Sequence, residues 1–150
     1  MTDRHPALVR LDALLGTWIV QPRVGGVRPA RCECTWDGAF LRQYTETGPG
    51  AADPDDPWRD HAPFPTDMRI GLDDAGDDLT VLYADARGVH RVYAMTFDGE
   101  TWTMARSAPG FSQRFTATLA GDGHWDGRWE RSADDRTWEL DFELTYTREK

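Results

Sequence analysis

In the stretch VHRVYAM, Val89 to Met95, period-two alternation puts Val89, Arg91, Tyr93 and Met95 on one face of a strand. Three of these want a core. The fourth carries a guanidinium that stays charged at any physiological pH and matches carboxylate or phosphate with paired donors. An arginine two residues from a tyrosine on an apolar face is chemistry for holding an anion. Hairpin counting gathers further candidates. With Asp98-Gly99 as a two-residue turn, Phe97 faces Glu100, Met95 faces Trp102, Tyr93 faces Met104 and Arg91 faces Arg106. A three-residue loop, Ala86 to Gly88, sets Asp85 against Val89, Tyr83 against Arg91 and Val81 against Tyr93. The candidate ligand-binding set is therefore Tyr83, Arg91, Tyr93, Met95, Trp102, Met104 and Arg106. Like charges directly opposite destabilise a sheet, and an unpaired buried charge costs several kcal/mol. Three arrangements resolve this: Asp85 or another acid neutralises the arginines, an anion in a cavity does, or a one-residue slip places them outside.

Other chemistry is sparse. His5, His61, His90 and His124 are scattered and form no H-x-H or H-E-x-x-H, so no metal site is expected. DDAGDD is shorter than an EF-hand loop, lacks its terminal Glu and reads as a solvated turn. There is no G-x-S-x-G and no P-loop, and neither cysteine has a triad-like partner, so no cofactor and no catalytic residue is expected. Cys32 and Cys34, spaced i, i+2, share a strand face. They fit neither a zinc site nor a C-x-x-C redox motif, and are expected as free core thiols.

The elements that must position the candidates follow from the pattern. Leu8, Leu11, Leu14 and Leu15 recur at helical spacing, predicting a short helix ended by Gly16. Beyond it, about ten strand-like segments are joined by turn signals, most marked by Asp-Gly or neighbouring residues. In the last, Trp138, Leu140, Phe142, Leu144 and Tyr146 alternate with polar residues, and Arg148 falls in phase with the buried face. The long irregular segment, Gly48 to Thr66, is rich in Pro, Asp and Gly. It is either a cover for a cavity mouth, with Trp58 and Phe64 as apolar contacts, or a passive surface loop. A meander with no crossover helices closes most easily into an up-and-down barrel, which removes its edges. The expected architecture is all-β: one antiparallel barrel spanning residues 1–150, with a short N-terminal helix.

The 150 residues include seven Trp, six Phe and four Tyr, and the formal net charge is −9. No basic patch suggests nucleic acid. No apolar run reaches the roughly 18 residues that span a bilayer, and MTDRHPALVR has no signal-peptide core. A cytoplasmic protein, monomer or homodimer, is expected.

A short helix followed by Gly16-x-Trp18 in LLGTW resembles a calycin. The longer resemblance, over LDALLGTW, RIGLDD, RGVHRVYAMTF, APGFSQRF, DGRWERS and WELDFELTYTR, is to bacterial lipocalin-like domains of the calycin superfamily. It covers nearly the whole chain. It implies a barrel with an internal cavity, Trp18 plugging the closed end and Arg148 packing over it. That group lacks an assigned activity, so no catalytic residue carries over. Among better-understood relatives, nitrobindins bind haem through a barrel histidine, whose surrounding pattern this chain lacks. Fatty-acid-binding proteins use interior arginine and tyrosine, as in Arg91-x-Tyr93, though on the last strand rather than a middle one. The expected function is binding of a small apolar or amphipathic, anionic molecule. The alternatives are a cyclase- or isomerase-type enzyme using Tyr83, Tyr93 and Asp85 as acid or base, and an interaction module whose barrel is filled by its own side chains.

Overall fold

Leu8, Leu11 and Leu14 are buried together in the computed structural model, which describes residues 4–48, 54–76 and 78–149. They lie on helix α1, Pro6–Val9, and the 3₁₀ segment that continues it, Arg10–Leu14. Pro6 opens the helix, where a missing N–H costs nothing, and the His5 ring nitrogen accepts the Ala7 amide at 3.1 Å. Gly16, at φ 120°, then turns the chain into the first strand.

Ten strands follow: β1 Gly16–Pro22, β2 Ala30–Asp37, β3 Phe40–Thr47, β4 Thr66–Leu72, β5 Leu79–Asp85, β6 His90–Phe97, β7 Thr101–Arg106, β8 Ser112–Leu119, β9 Trp125–Ser132 and β10 Glu139–Arg148. Each pairs antiparallel with its sequence neighbour, and β1 pairs with β10, so the sheet closes into an up-and-down barrel. Closure leaves no unpaired edge. Among the described residues, no helix is long and apolar enough to cross a membrane.

Two registers differ from the sequence expectation. The β5–β6 hairpin matches it, with Tyr83 opposite Arg91 and Val81 opposite Tyr93. In the β6–β7 hairpin, Phe97 faces Trp102 and Met95 faces Met104, so Arg91 does not face Arg106. The Asp98 carboxylate accepts the Glu100 and Thr101 amides, and the Asp98 amide donates to Thr101 O. The two loop residues are thus Gly99 and Glu100. Gly99, at φ 93°, takes the first of them, the place a type II′ turn reserves for glycine. Moving the turn by one residue moves every pair by two, which preserves the inward and outward faces. In β10, a bulge between Leu140 and Phe142 breaks the alternation. Leu140 is 46% exposed, and Trp138 lies under the Arg114 guanidinium, 4.2 Å from ring centre, rather than in the core. Phe142, Leu144 and Tyr146 keep the inward phase.

The helix packs at the barrel end where β1 begins. Trp18 is buried there, its indole N–H donating to Leu14 O at 2.9 Å. Arg148 lies 4.2 Å over the Trp18 ring and donates to Leu15 O and Ala13 O at 2.7 and 2.9 Å. Above Trp18 the interior is filled. Trp102 meets Phe115 at 5.0 Å, Tyr146 at 5.4 Å and Trp125 at 6.0 Å between centroids, and Phe97 closes on Trp125 at 5.7 Å. Cys32 and Cys34 are free, buried, and 3.9 Å apart at sulfur. The hydrogen bond with Cys32, together with burial, pushes the Cys34 thiol up.

Candidate ligand cavity

The opposite end of the barrel carries the longer connections: residues 23–29, 48–65, 86–89, 107–111 and 133–138. Here the inward side chains stop short of one another and leave a cavity of about 320 Å³. That size suits a small ligand. Its walls are mostly apolar: Met68 from β4, Met104 from β7, Trp129 from β9, Phe142 and Leu144 from β10. Tyr93 meets Trp129 at 5.6 Å and Tyr83 at 6.0 Å. The interior is therefore divided, packed toward the helix and hollow toward the loops.

The segment Gly48 to Thr66 contributes a wall. Its residues 49–53 lie outside the described ones. Within the rest, Trp58 packs edge-on against Phe142 at 5.0 Å and lies 6.4 Å from Phe64. Buried Asp56 fixes this arrangement: its carboxylate accepts the Trp58 amide at 2.8 Å and the Arg28 amide at 3.4 Å. Thr66 Oγ1 donates to Pro63 O at 2.7 Å. Trp58, His61, Pro63 and Phe64 all border the cavity.

Of the candidate residues, Tyr83, Arg91, Tyr93 and Met104 line the cavity together. Met95 and Trp102 are buried outside its lining, Trp102 within the aromatic packing. Arg106 stands beside the cavity, half-buried and directly opposite Gln113 across β7 and β8. Gln113, buried and lining the cavity, accepts the Tyr93 hydroxyl at 3.0 Å on Oε1. Sequence counting overlooked Gln113 and Trp129. Both were signalled by alternation, Gln113 with Phe115 and Ala117, Trp129 with Gly127 and Trp125.

The expected neutralisation of Arg91 by Asp85 is not what forms. The buried Asp85 side chain takes Arg87 Nη2 at 2.6 Å, Arg87 Nε at 3.2 Å, the Tyr83 hydroxyl at 2.7 Å and the Arg87 amide at 2.8 Å. Its acceptor sites are thereby filled within its own turn. Burial raises the Asp85 carboxyl, but the hydrogen bonds from Arg87 and Tyr83 outweigh it and hold the group below its ordinary value. Arg91 is instead flanked by rings, 5.5 Å from Tyr83 and 5.6 Å from Phe111. Among the described residues, no carboxylate forms an ion pair with Arg91 or Arg106. Asp141 also lines the cavity, and its carboxylate lies 4.0 Å from Arg131.

The tyrosines are poor bases. Burial and the bond to Asp85 push the Tyr83 phenol well up. Burial also raises Tyr93, against the pull of Arg91 and Arg106. Both stay protonated and act as hydrogen-bond donors. Among the described residues, no group of three or more His, Cys, Asp or Glu is placed to hold a metal ion.

No family model matches the chain, and no curated protein does. Among solved structures, the chain is similar to the crystal structure of Rv2717c from M. tuberculosis. The two share 16% identity at a TM-score of 0.58, over 99% of this chain and 100% of that one. At this identity the likeness is one of fold.

Proposed function

We propose that the protein is a calycin-type binding protein that holds a small amphipathic anion in the loop-end cavity, acting in the cytoplasm as a monomer or homodimer. The observation that carries this reading is Arg91: a permanently charged group on an apolar wall, with no carboxylate paired to it among the described residues. A ligand oxyanion would complete it with charge-assisted hydrogen bonds. The aromatic walls would supply the rest at about 25 cal/mol per Å² of apolar surface buried. Trp58 and Phe64 cover the ligand on this reading.

Trp58 and Trp129 line the cavity, so ligand entry reads out as tryptophan quenching. Decanoate should bind more tightly than methyl decanoate, and Arg91→Met should erase the difference. Equal binding of acid and ester would make Arg91 a structural residue and remove the anion from the reading.

A further inference from the structure

The corner around Arg91 is built from donors. Arg91 and Tyr93 lie two residues apart on the inner face of β6, and Gln113 faces Arg106 across β7 and β8. The Tyr93 hydroxyl gives its proton to Gln113 Oε1, which occupies the amide's acceptor and leaves its NH₂ as the free end. Among the described residues, that NH₂ has no acceptor, and Gln113 is only 6% exposed. Among the described residues, Arg91 and Arg106 are both without a paired carboxylate, whereas Arg87 is satisfied by Asp85. The cavity corner therefore holds the Arg91 charge and an amide donor, and Arg106 stands beside the lining, opposite Gln113.

A neutral head group would leave both charges unmet. A monoanion would meet one. Resting on the binding function proposed above, we propose that this corner receives a doubly charged oxyanion, a phosphate monoester carried on a short apolar body. Its three terminal oxygens match the donors in number and kind: a guanidinium on β6, an amide on β8 and a guanidinium on β7. The apolar body then lies against Met104, Trp129 and Phe142. The charged or titratable groups that line the cavity besides Arg91 are Tyr83, Arg87, Tyr93, His61 and Asp141, so a probe of fixed charge is needed to separate the protein's pH dependence from the ligand's own.

Octyl phosphate and octyl sulfate supply that comparison. They share a chain, but the sulfate stays a monoanion while the phosphate gains its second charge above about pH 6. At pH 7.5 octyl phosphate should bind about tenfold more tightly, as one added charged hydrogen bond allows. The gap should close by pH 5. Arg106→Met should weaken octyl phosphate more than octyl sulfate and so close most of the gap, and Arg106→Lys should retain most of it. Equal affinity of the two probes at pH 7.5 overturns the proposal while leaving the anion-binding function intact. Binding of neither probe, and none of decanoate, overturns both. Inorganic phosphate binding as tightly as octyl phosphate would show that no apolar body is read, and would overturn the ester.

Discussion

Arg148 and Asp85 hold the barrel at its two ends, each through several bonds from one side chain. The Arg148 guanidinium stacks on Trp18 and binds the carbonyls of Ala13, in the 3₁₀ segment, and of Leu15, just after it, tying β10 to the N-terminal helix. Arg148→Ala should cost about 1–2 kcal/mol, the sum of a cation–π contact and exposed hydrogen bonds. In a chain of this size that lowers Tm by roughly 2–4 °C per kcal/mol. Ligand affinity should not change, because the cavity lies at the other end; a weakened ligand with unchanged Tm would contradict this placement. Asp85 gives a pH signature. Its carboxyl is depressed in the folded state, so its stabilisation is present above the unfolded pKa and is lost as pH falls through the folded one, below about pH 4. Asp85→Asn leaves Arg87 without its carboxylate. It should lower the urea midpoint at pH 7 and flatten the acid limb below pH 4. An acid limb as steep as in the parent protein would assign the acid sensitivity to other carboxylates.

At the scale of elements, the turn between β6 and β7 decides which side chains meet. Gly99 sits at φ 93°, where a Cβ is strained, and a Cβ there would meet nothing within 4 Å. Gly99→Ala should therefore cost about 1 kcal/mol through backbone strain alone, measured as a lower denaturant midpoint with an unchanged slope. No loss would show that position 99 is not held at positive φ, contrary to a two-residue turn on Gly99-Glu100 or on Asp98-Gly99. Those two turns differ by one residue, which shows where sequence reading runs out. Alternation fixed which of Tyr83, Tyr93, Met95, Trp102 and Met104 point inward, because face parity survives a two-residue shift. It did not fix partners, because the choice between Asp98-Gly99 and Gly99-Glu100 rests on how the Asp98 carboxylate bonds to the backbone. The bulge in β10 has the same character. Leu140 and Phe142 look equivalent in a period of two, and only the pairing with β9 separates them. Arg91 was recognisable as unusual from its neighbours alone. That no carboxylate among the described residues pairs with it was not, since that depends on Arg87 taking Asp85 first.

At the scale of the whole molecule, the aromatic load has two destinations. Trp102, Phe115 and Trp125 pack ring against ring, Tyr146 packs on Trp102 and reaches the cavity, and Trp58, Trp129 and Phe142 border open space. A barrel filled throughout would hold nothing, and one hollow throughout would forfeit the burial that stabilises it. The division predicts opposite behaviour for truncations at the two levels. Trp102 is 1% exposed and touched by three rings, so Trp102→Ala should cost about 3–5 kcal/mol of stability by opening a cavity in packed surroundings. Ligand affinity should move little if the variant is compared below its melting temperature. Phe142 is only partly buried, facing Trp58 across 5.0 Å at the cavity's cover. Phe142→Ala should cost less stability, because part of its surface is already open, and should weaken ligand binding by about tenfold through the lost contact with the apolar body. Guanidinium unfolding and decanoate titration on the same two variants make the comparison. If Trp102→Ala loosens the ligand as much as Phe142→Ala does, the ligand reaches into the lower half, and the packed layer yields to it rather than forming its floor.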